Sequence, residues 1–99
     1  EDAAETVFDL DLFEASARGY LANRALSSED REALPGGVER ICLELAARFA
    51  ADAIHESYFG WNPSVAAGRG EHNLLRASGQ FCLAQSVRTQ RQKMERALA

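Results

Sequence analysis

Long apolar runs are what this chain lacks first: nowhere in its 99 residues do about 18 apolar positions follow one another, which argues against a membrane span. Cysteine is nearly absent. Cys42 and Cys82 each fall inside a helical pattern, with no CxxC spacing and no neighbouring histidine. They read as two reduced core thiols of a cytoplasmic protein, not as a disulfide or a zinc site. Proline occurs only twice, at Pro35, where a helix is expected to stop, and at Pro63, inside a stretch that cannot continue one. The glycines flanking Arg69 follow no strand and lack the GxxxxGK[ST] spacing, so they do not make a phosphate loop. Sustained strand alternation, internal repeats and low-complexity segments are missing as well. The opening EDAAETVFDL has neither the basic nor the apolar part of a signal peptide, and its first residue is not Met, which fits a chain cut from a larger protein or a processed one.

What is present is ordinary for one globular domain, with 46% hydrophobic and 26% charged residues in a length that leaves no room for a second. The net charge of -4 argues against nucleic acid as a partner. Its distribution is uneven: acids gather at Glu1, Asp2, Glu5, Asp9, Asp11 and Glu14, and bases at Arg88, Arg91, Lys93 and Arg96. The basic cluster follows a helix surface without interleaved aromatics, so it reads as a solvated face.

The periodicity predicts an all-α module of three to four helices spanning 1–99, with residues 1–8 as an extended lead-in and 9–99 helical. Leu12, Phe13, Ser16, Ala17, Tyr20 and Leu21 recur at helical spacing from about Asp9 to Ala22, with Asp9 or Asp11 placed to cap the first turn. Ser27, followed by Asp30, resembles a capping box for a short helix that ends near Leu34, where Pro35, Gly36 and Gly37 are expected to stop it. Val38, Ile41, Cys42, Leu45, Phe49 and Ala53 then form the clearest apolar stripe, so a helix over about Val38 to Ser57 is expected to be the most buried. Gly60 to Gly70 reads as a surface loop. A last helix begins near Glu71 to Asn73 and runs towards Leu98, with a polar second half expected to leave the core.

Chemistry-bearing side chains concentrate around that loop. His55 beside Glu56 has no nucleophile at a defined spacing and reads as a helix-end histidine. Arg69, His72 and Asn73 stand where the last helix begins, and free N–H groups there favour anions or hydroxyl-rich ligands; simple capping by Asn73 or a neighbour is the competing reading. Tyr58, Phe59 and Trp61 form either the apolar wall of a ligand pocket or a plug over the helix ends. The candidate substrate-binding set is therefore Tyr58, Trp61, Arg69, His72 and Asn73, with no complete catalytic constellation and no metal-ligand spacing.

Taken in order, these segments resemble the C-terminal helical part of phosphotransferases of the aminoglycoside phosphotransferase and choline kinase-like superfamily, above all its N-acetylhexosamine 1-kinase branch. The matching positions are Phe8, Asp9, Leu12, Phe13, Glu14, Ala15, Gly19, Tyr20 and Leu21; then Ser28, Glu32 and Pro35; then Glu44, Arg48 and Phe49. Tyr58 and Phe59 follow, and His72, Asn73, Leu74, Arg76 and Ala77 close the series. The segment between Phe59 and His72 is longer than in the hexosamine kinases and carries Trp61, Asn62 and Pro63.

The resemblance implies the substrate-side wall of a kinase-like fold, with a sugar or amino-sugar acceptor and the remainder of the parent chain as partners. It also implies that ATP and Mg²⁺ serve the full-length enzyme. The nucleotide-covering loop, strand lysine, catalytic loop and metal-binding aspartate that phosphoryl transfer needs are missing from this sequence, so the resemblance implies a cytoplasmic fragment, inactive alone and without a cofactor of its own. A self-sufficient helical interaction module without chemistry is the alternative.

Overall fold

The computed structural model describes residues 6–99, and those residues form four α-helices and no strand. The first five positions of the expected lead-in, with Glu1, Asp2 and Glu5, lie outside the described residues. Helix α1 (Leu10–Asn23) starts where Asp9 places its carboxylate to accept from the Leu12 N–H at 3.1 Å, one of the two capping choices the sequence offered. None of its residues is buried.

Helix α2 (Ser28–His55) is a single 28-residue rod and not the two helices expected on either side of Pro35. Ser27 caps it as anticipated, accepting from the Asp30 N–H at 3.1 Å. The break fails because packing outweighs propensity. A helix-interior proline costs about 3 kcal/mol and a glycine about 1, and proline leaves the carbonyl one turn earlier, here that of Arg31, without its intrahelical donor. Pro35 is buried, and the missing side chain of Gly36 admits the Arg91 guanidinium, 3.4 Å from where a Cβ would stand. Arg31 in turn donates from Nη1 to the Leu98 carbonyl at 3.2 Å. The Pro-Gly-Gly segment is thus a docking place for the end of the chain.

Helix α3 (Arg69–Thr89) runs antiparallel to α2, and the two make the main contact of the fold. Small buried residues on both, Ala46 of α2 with Ala77 and Ala84 of α3, let the rods approach closely. Expected burial needs correction here. Ile41 is 60% exposed and Ile54 81% exposed, and α3 buries more positions than α2. The stripe through α2 is wider than the one helix that covers it, so its edges face outward.

Helix α4 (Arg91–Leu98) corrects the expectation that the polar C-terminal half leaves the core. Met94 and Leu98 are almost completely buried, because the chain bends at Gln90 and lays α4 against α1 and the start of α2. Gln90 holds the bend: its Nε2 donates to the Phe8 carbonyl at 2.7 Å and to the Ser86 hydroxyl at 3.2 Å, while that hydroxyl accepts from the Phe8 N–H at 2.9 Å. No helix among the described residues is long and apolar enough to cross a membrane. The whole extends 45 × 23 × 23 Å.

Candidate functional site

The junction between α2 and α3 is built around a residue that helical periodicity alone assigns to a polar face. Asp52, in the last turn of α2, is 4% exposed. Its Oδ1 accepts from the N–H groups of Ser57 at 2.8 Å and Tyr58 at 2.9 Å, and its Oδ2 from the N–H of Phe59 at 2.9 Å and the Asn73 amide at 2.8 Å. Burial pushes this carboxyl's pKa up, but the hydrogen bonds from Phe59, Ser57, Tyr58 and Asn73 outweigh it and bring the pKa down from 3.8 to about 2. The loop backbone after α2 is therefore fixed by one charge.

Around that anchor the loop is fastened at several further points. Glu56 ends α2 in the left-handed region at φ 51°, with its N–H donating to the Asp52 carbonyl at 2.8 Å. Its carbonyl accepts from Arg69 Nη1 at 2.6 Å and its carboxylate from the Gly70 N–H at 2.8 Å. Gly70 must be glycine for close approach, since a Cβ there would lie 2.7 Å from the Ala53 carbonyl oxygen. Asn62, before Pro63, closes the middle of the loop by accepting on Oδ1 from the Ser64 N–H at 2.9 Å.

The five candidate residues divide into two groups. Arg69, His72 and Asn73 come together at the start of α3, and each is engaged inside the chain. Arg69 holds the Glu56 carbonyl. His72, 2% exposed, accepts on Nδ1 from the Asn62 N–H at 3.1 Å, and Asn73, fully buried, donates to Asp52 and accepts on Oδ1 from Arg76 Nη1 at 3.2 Å. Tyr58 points outward at 78% exposure, and Trp61 is half-buried. Phe59 plugs the helix ends, its ring 4.3 Å from that of Phe49 between centroids and 4.9 Å from Tyr58 in an edge-on arrangement. Arg76 braces the same spot, its guanidinium 5.5 Å from the Phe49 ring centre and its Nη1 donating to the Gly60 carbonyl at 2.6 Å.

Beside this frame lies an open concavity of about 340 Å³, walled by Arg48, Ala51 and His55 on one face of α2 and by Ser57, Tyr58 and Phe59 from the loop. It joins the rings of Tyr58 and Phe59, the basic side chains of Arg48 and His55, the Asp52 carboxylate and the Ser57 hydroxyl, and its volume is within the ~300–1,000 Å³ of small-molecule sites. A second cavity of similar size between α1, α2 and α4 is walled by Phe13, Leu21, Leu26, Leu34 and Leu98, with only the hydroxyls of Ser16 and Tyr20 to bind polar groups. A third, of about 390 Å³ near Arg31 and Glu95, has no aromatic side chain on which a sugar ring could stack.

The Mg²⁺ implied by the resemblance finds no ligand cluster among the described residues. Among the described residues no three His, Cys, Asp or Glu side chains are placed to hold a metal, and the carboxylate of Asp52 already accepts four N–H donors. Cys42 is buried, Cys82 half-buried, and both are free thiols.

Arg48, Asp52, Glu56 and His55 were the residues that spacing alone did not bring to the site. Asp52 carried a signal nonetheless, because a carboxylate in the last turn opposes the helix dipole and needs a local partner. Compared with protein-family models, curated proteins and solved structures, the chain matches none.

Proposed function

We propose that this chain is the C-terminal, substrate-side portion of an ATP-dependent sugar or amino-sugar phosphotransferase, inactive alone, with the remainder of the parent chain supplying nucleotide, Mg²⁺ and catalytic groups. The observation that carries the reading is the Asp52 anchor, which fixes the backbone of Ser57, Tyr58 and Phe59 and so holds the Tyr58 ring at the rim of a concavity that Arg48 and His55 also line. A sugar presents an apolar ring face and several hydroxyls, and Tyr58 with Phe59 offers a wall for the one while Arg48, His55 and Ser57 offer polar partners for the other. Arg69, His72 and Asn73 contribute by positioning: they hold the loop that carries the wall.

In the full-length enzyme Tyr58→Ala is expected to raise the acceptor's KM at least 10-fold with the KM for ATP unchanged. The 99-residue chain titrated with Mg-ATP is expected to give no heat of binding. A micromolar magnesium-dependent site in the isolated chain, or an acceptor KM indifferent to Tyr58, would sink the reading. The runner-up, a helical interaction module without chemistry, is favoured by the exposed Leu12, Ile41, Ile54, Leu74 and Phe81. It predicts that no sugar or amino-sugar acceptor is phosphorylated by the parent protein, with or without Tyr58.

A further inference from the structure

The α2/α3 hairpin has two faces, and only one of them is used by the rest of the chain. Arg48, Asp52 and His55 look to the side that carries the loop and its concavity, and the lead-in reaches α3 where Thr6 lies 3.8 Å from the Cβ position of Gly79. The opposite face is formed by α2 positions 43, 47, 50 and 54 and α3 positions 74, 78 and 81, which follow the three-and-four spacing of a helix-packing seam. Leu43 and Phe81 meet there beside the Glu39–Arg88 ion pair of 2.9 Å. Between that pair and Glu71 the seam contains no charged residue. Ile54 is 81%, Leu74 58% and Phe81 50% exposed.

We infer that this face is a self-association surface, and that its occupant is a second copy of the chain. Three observations point to a copy over an unrelated partner. The seam is self-complementary when two hairpins meet face to face about a two-fold axis running across the helices, as an isologous contact requires. Leu43 then stands over Ile54 of the second copy, Ala47 over its Ala50, and Phe81 over its Leu74, so apolar side chains meet apolar ones. The centre of the α2 seam, between 47 and 50, lies nearly level with that of the α3 seam, midway between 74 and 81, since Asp52 sits opposite Asn73 and Glu39 opposite Arg88.

Charge agrees with the same axis. Glu71 and Arg88 close the two ends of the α3 seam, and the two-fold brings the Glu71 of one copy to within about one helical turn of the Arg88 of the other, a gap the long Arg88 side chain spans. The Arg88 side chain is 73% exposed despite its bond to Glu39, which leaves its outer edge available. The large apolar side chains supply on the order of 400 Å² of the ~800 Å² that each side of a stable interface buries, and the alanines, Ser78 and the rim supply the remainder. The resulting four-helix arrangement leaves the concavity at Tyr58 open on the far side, so it does not depend on the phosphotransferase reading.

Sedimentation velocity on the 99-residue protein over a concentration series tests this directly. The expected result is a dimer with a dissociation constant of micromolar or below, with Phe81→Glu and Ile54→Glu each weakening it at least 100-fold at unchanged helix content by circular dichroism. Glu71→Lys is expected to weaken it about 10-fold, because it sets like charges against Arg88 of the second copy. Ile41→Glu is the control: that side chain is 60% exposed but lies on the other face, so the dimer persists. A folded monomer at 100-fold above that concentration overturns the inference. So does a dimer that survives Phe81→Glu, or one that Ile41→Glu dissociates equally, which would indicate indiscriminate stickiness.

Discussion

The Asn73 side-chain amide donates to the buried Asp52 carboxylate at 2.8 Å, joining the first turn of α3 to the last turn of α2 across 21 residues of sequence. Truncating it removes one donor to a charged acceptor that keeps its three backbone donors. Asn73→Ala is expected to destabilise the chain by about 1–3 kcal/mol, read as a fall in Tm of about 4–8 °C per kcal/mol for a domain of this size. Asp52→Ala should lower Tm further, since it strands three N–H groups and the Asn73 amide together. Equal Tm values for the two variants would show that the backbone anchor contributes nothing.

Acid should loosen the same junction. A carboxyl whose pKa falls from 3.8 unfolded to about 2 folded contributes stability that is fully present above 3.8 and is lost as pH drops through about 2. Thermal melts between pH 5 and pH 2 are expected to lose more stability in the wild type than in Asp52→Asn, which has no such proton to take up. Parallel curves would contradict the assignment.

Two glycines in helices should respond to alanine with opposite signs. At Gly19 nothing lies within 4 Å of a Cβ, so Gly19→Ala should stabilise α1 by about 0.8–1 kcal/mol through helix propensity. At Gly70 the added methyl would sit 2.7 Å from the Ala53 carbonyl and 2.8 Å from a Glu56 carboxylate oxygen, so Gly70→Ala should destabilise by about 1–3 kcal/mol. Urea denaturation of both variants checks the pair, and a shared sign would refute the close approach of α3 to the end of α2.

Helix α4 is expected to behave as core. Met94→Ala and Leu98→Ala each remove a buried side chain and should cost about 2–5 kcal/mol. Changes below about 0.5 kcal/mol, the usual range for exposed positions, would mean that this helix does not pack as described.

The parts of this structure that sequence reveals are those governed by short-range rules. Asp9 and Ser27 could be placed as caps because a side-chain oxygen reaching an N–H three residues on is a local event. The loop after α2 and the gathering of Arg69, His72 and Asn73 at the start of α3 were legible for the same reason. What stayed hidden depends on distant partners. Pro35 stays inside a helix whose neighbouring residues hold the chain end, more than fifty residues away, with Arg91 against Gly36 and the Leu98 carbonyl on Arg31, and Met94 is buried because Gln90 turns the chain back onto α1. Asp52 escaped notice because its role needs a backbone turn that no period encodes, although a carboxylate against the helix dipole was the clue.

The tie between Phe8 and the Ser86–Gln90 bend also sets an order of assembly. These bonds span 78 and 82 positions, and the one helix that α1 packs against among the described residues is α4. During synthesis α1 leaves the ribosome first, yet its apolar side has nothing to rest on until α4 has followed it out. The α2/α3 pair, joined by the 56–68 loop that Asp52 and Glu56 fasten, can settle before then. A released chain truncated before Gln90 would therefore hold a finished hairpin and an undocked first helix, and protease should cut it within 10–23 while sparing 38–55.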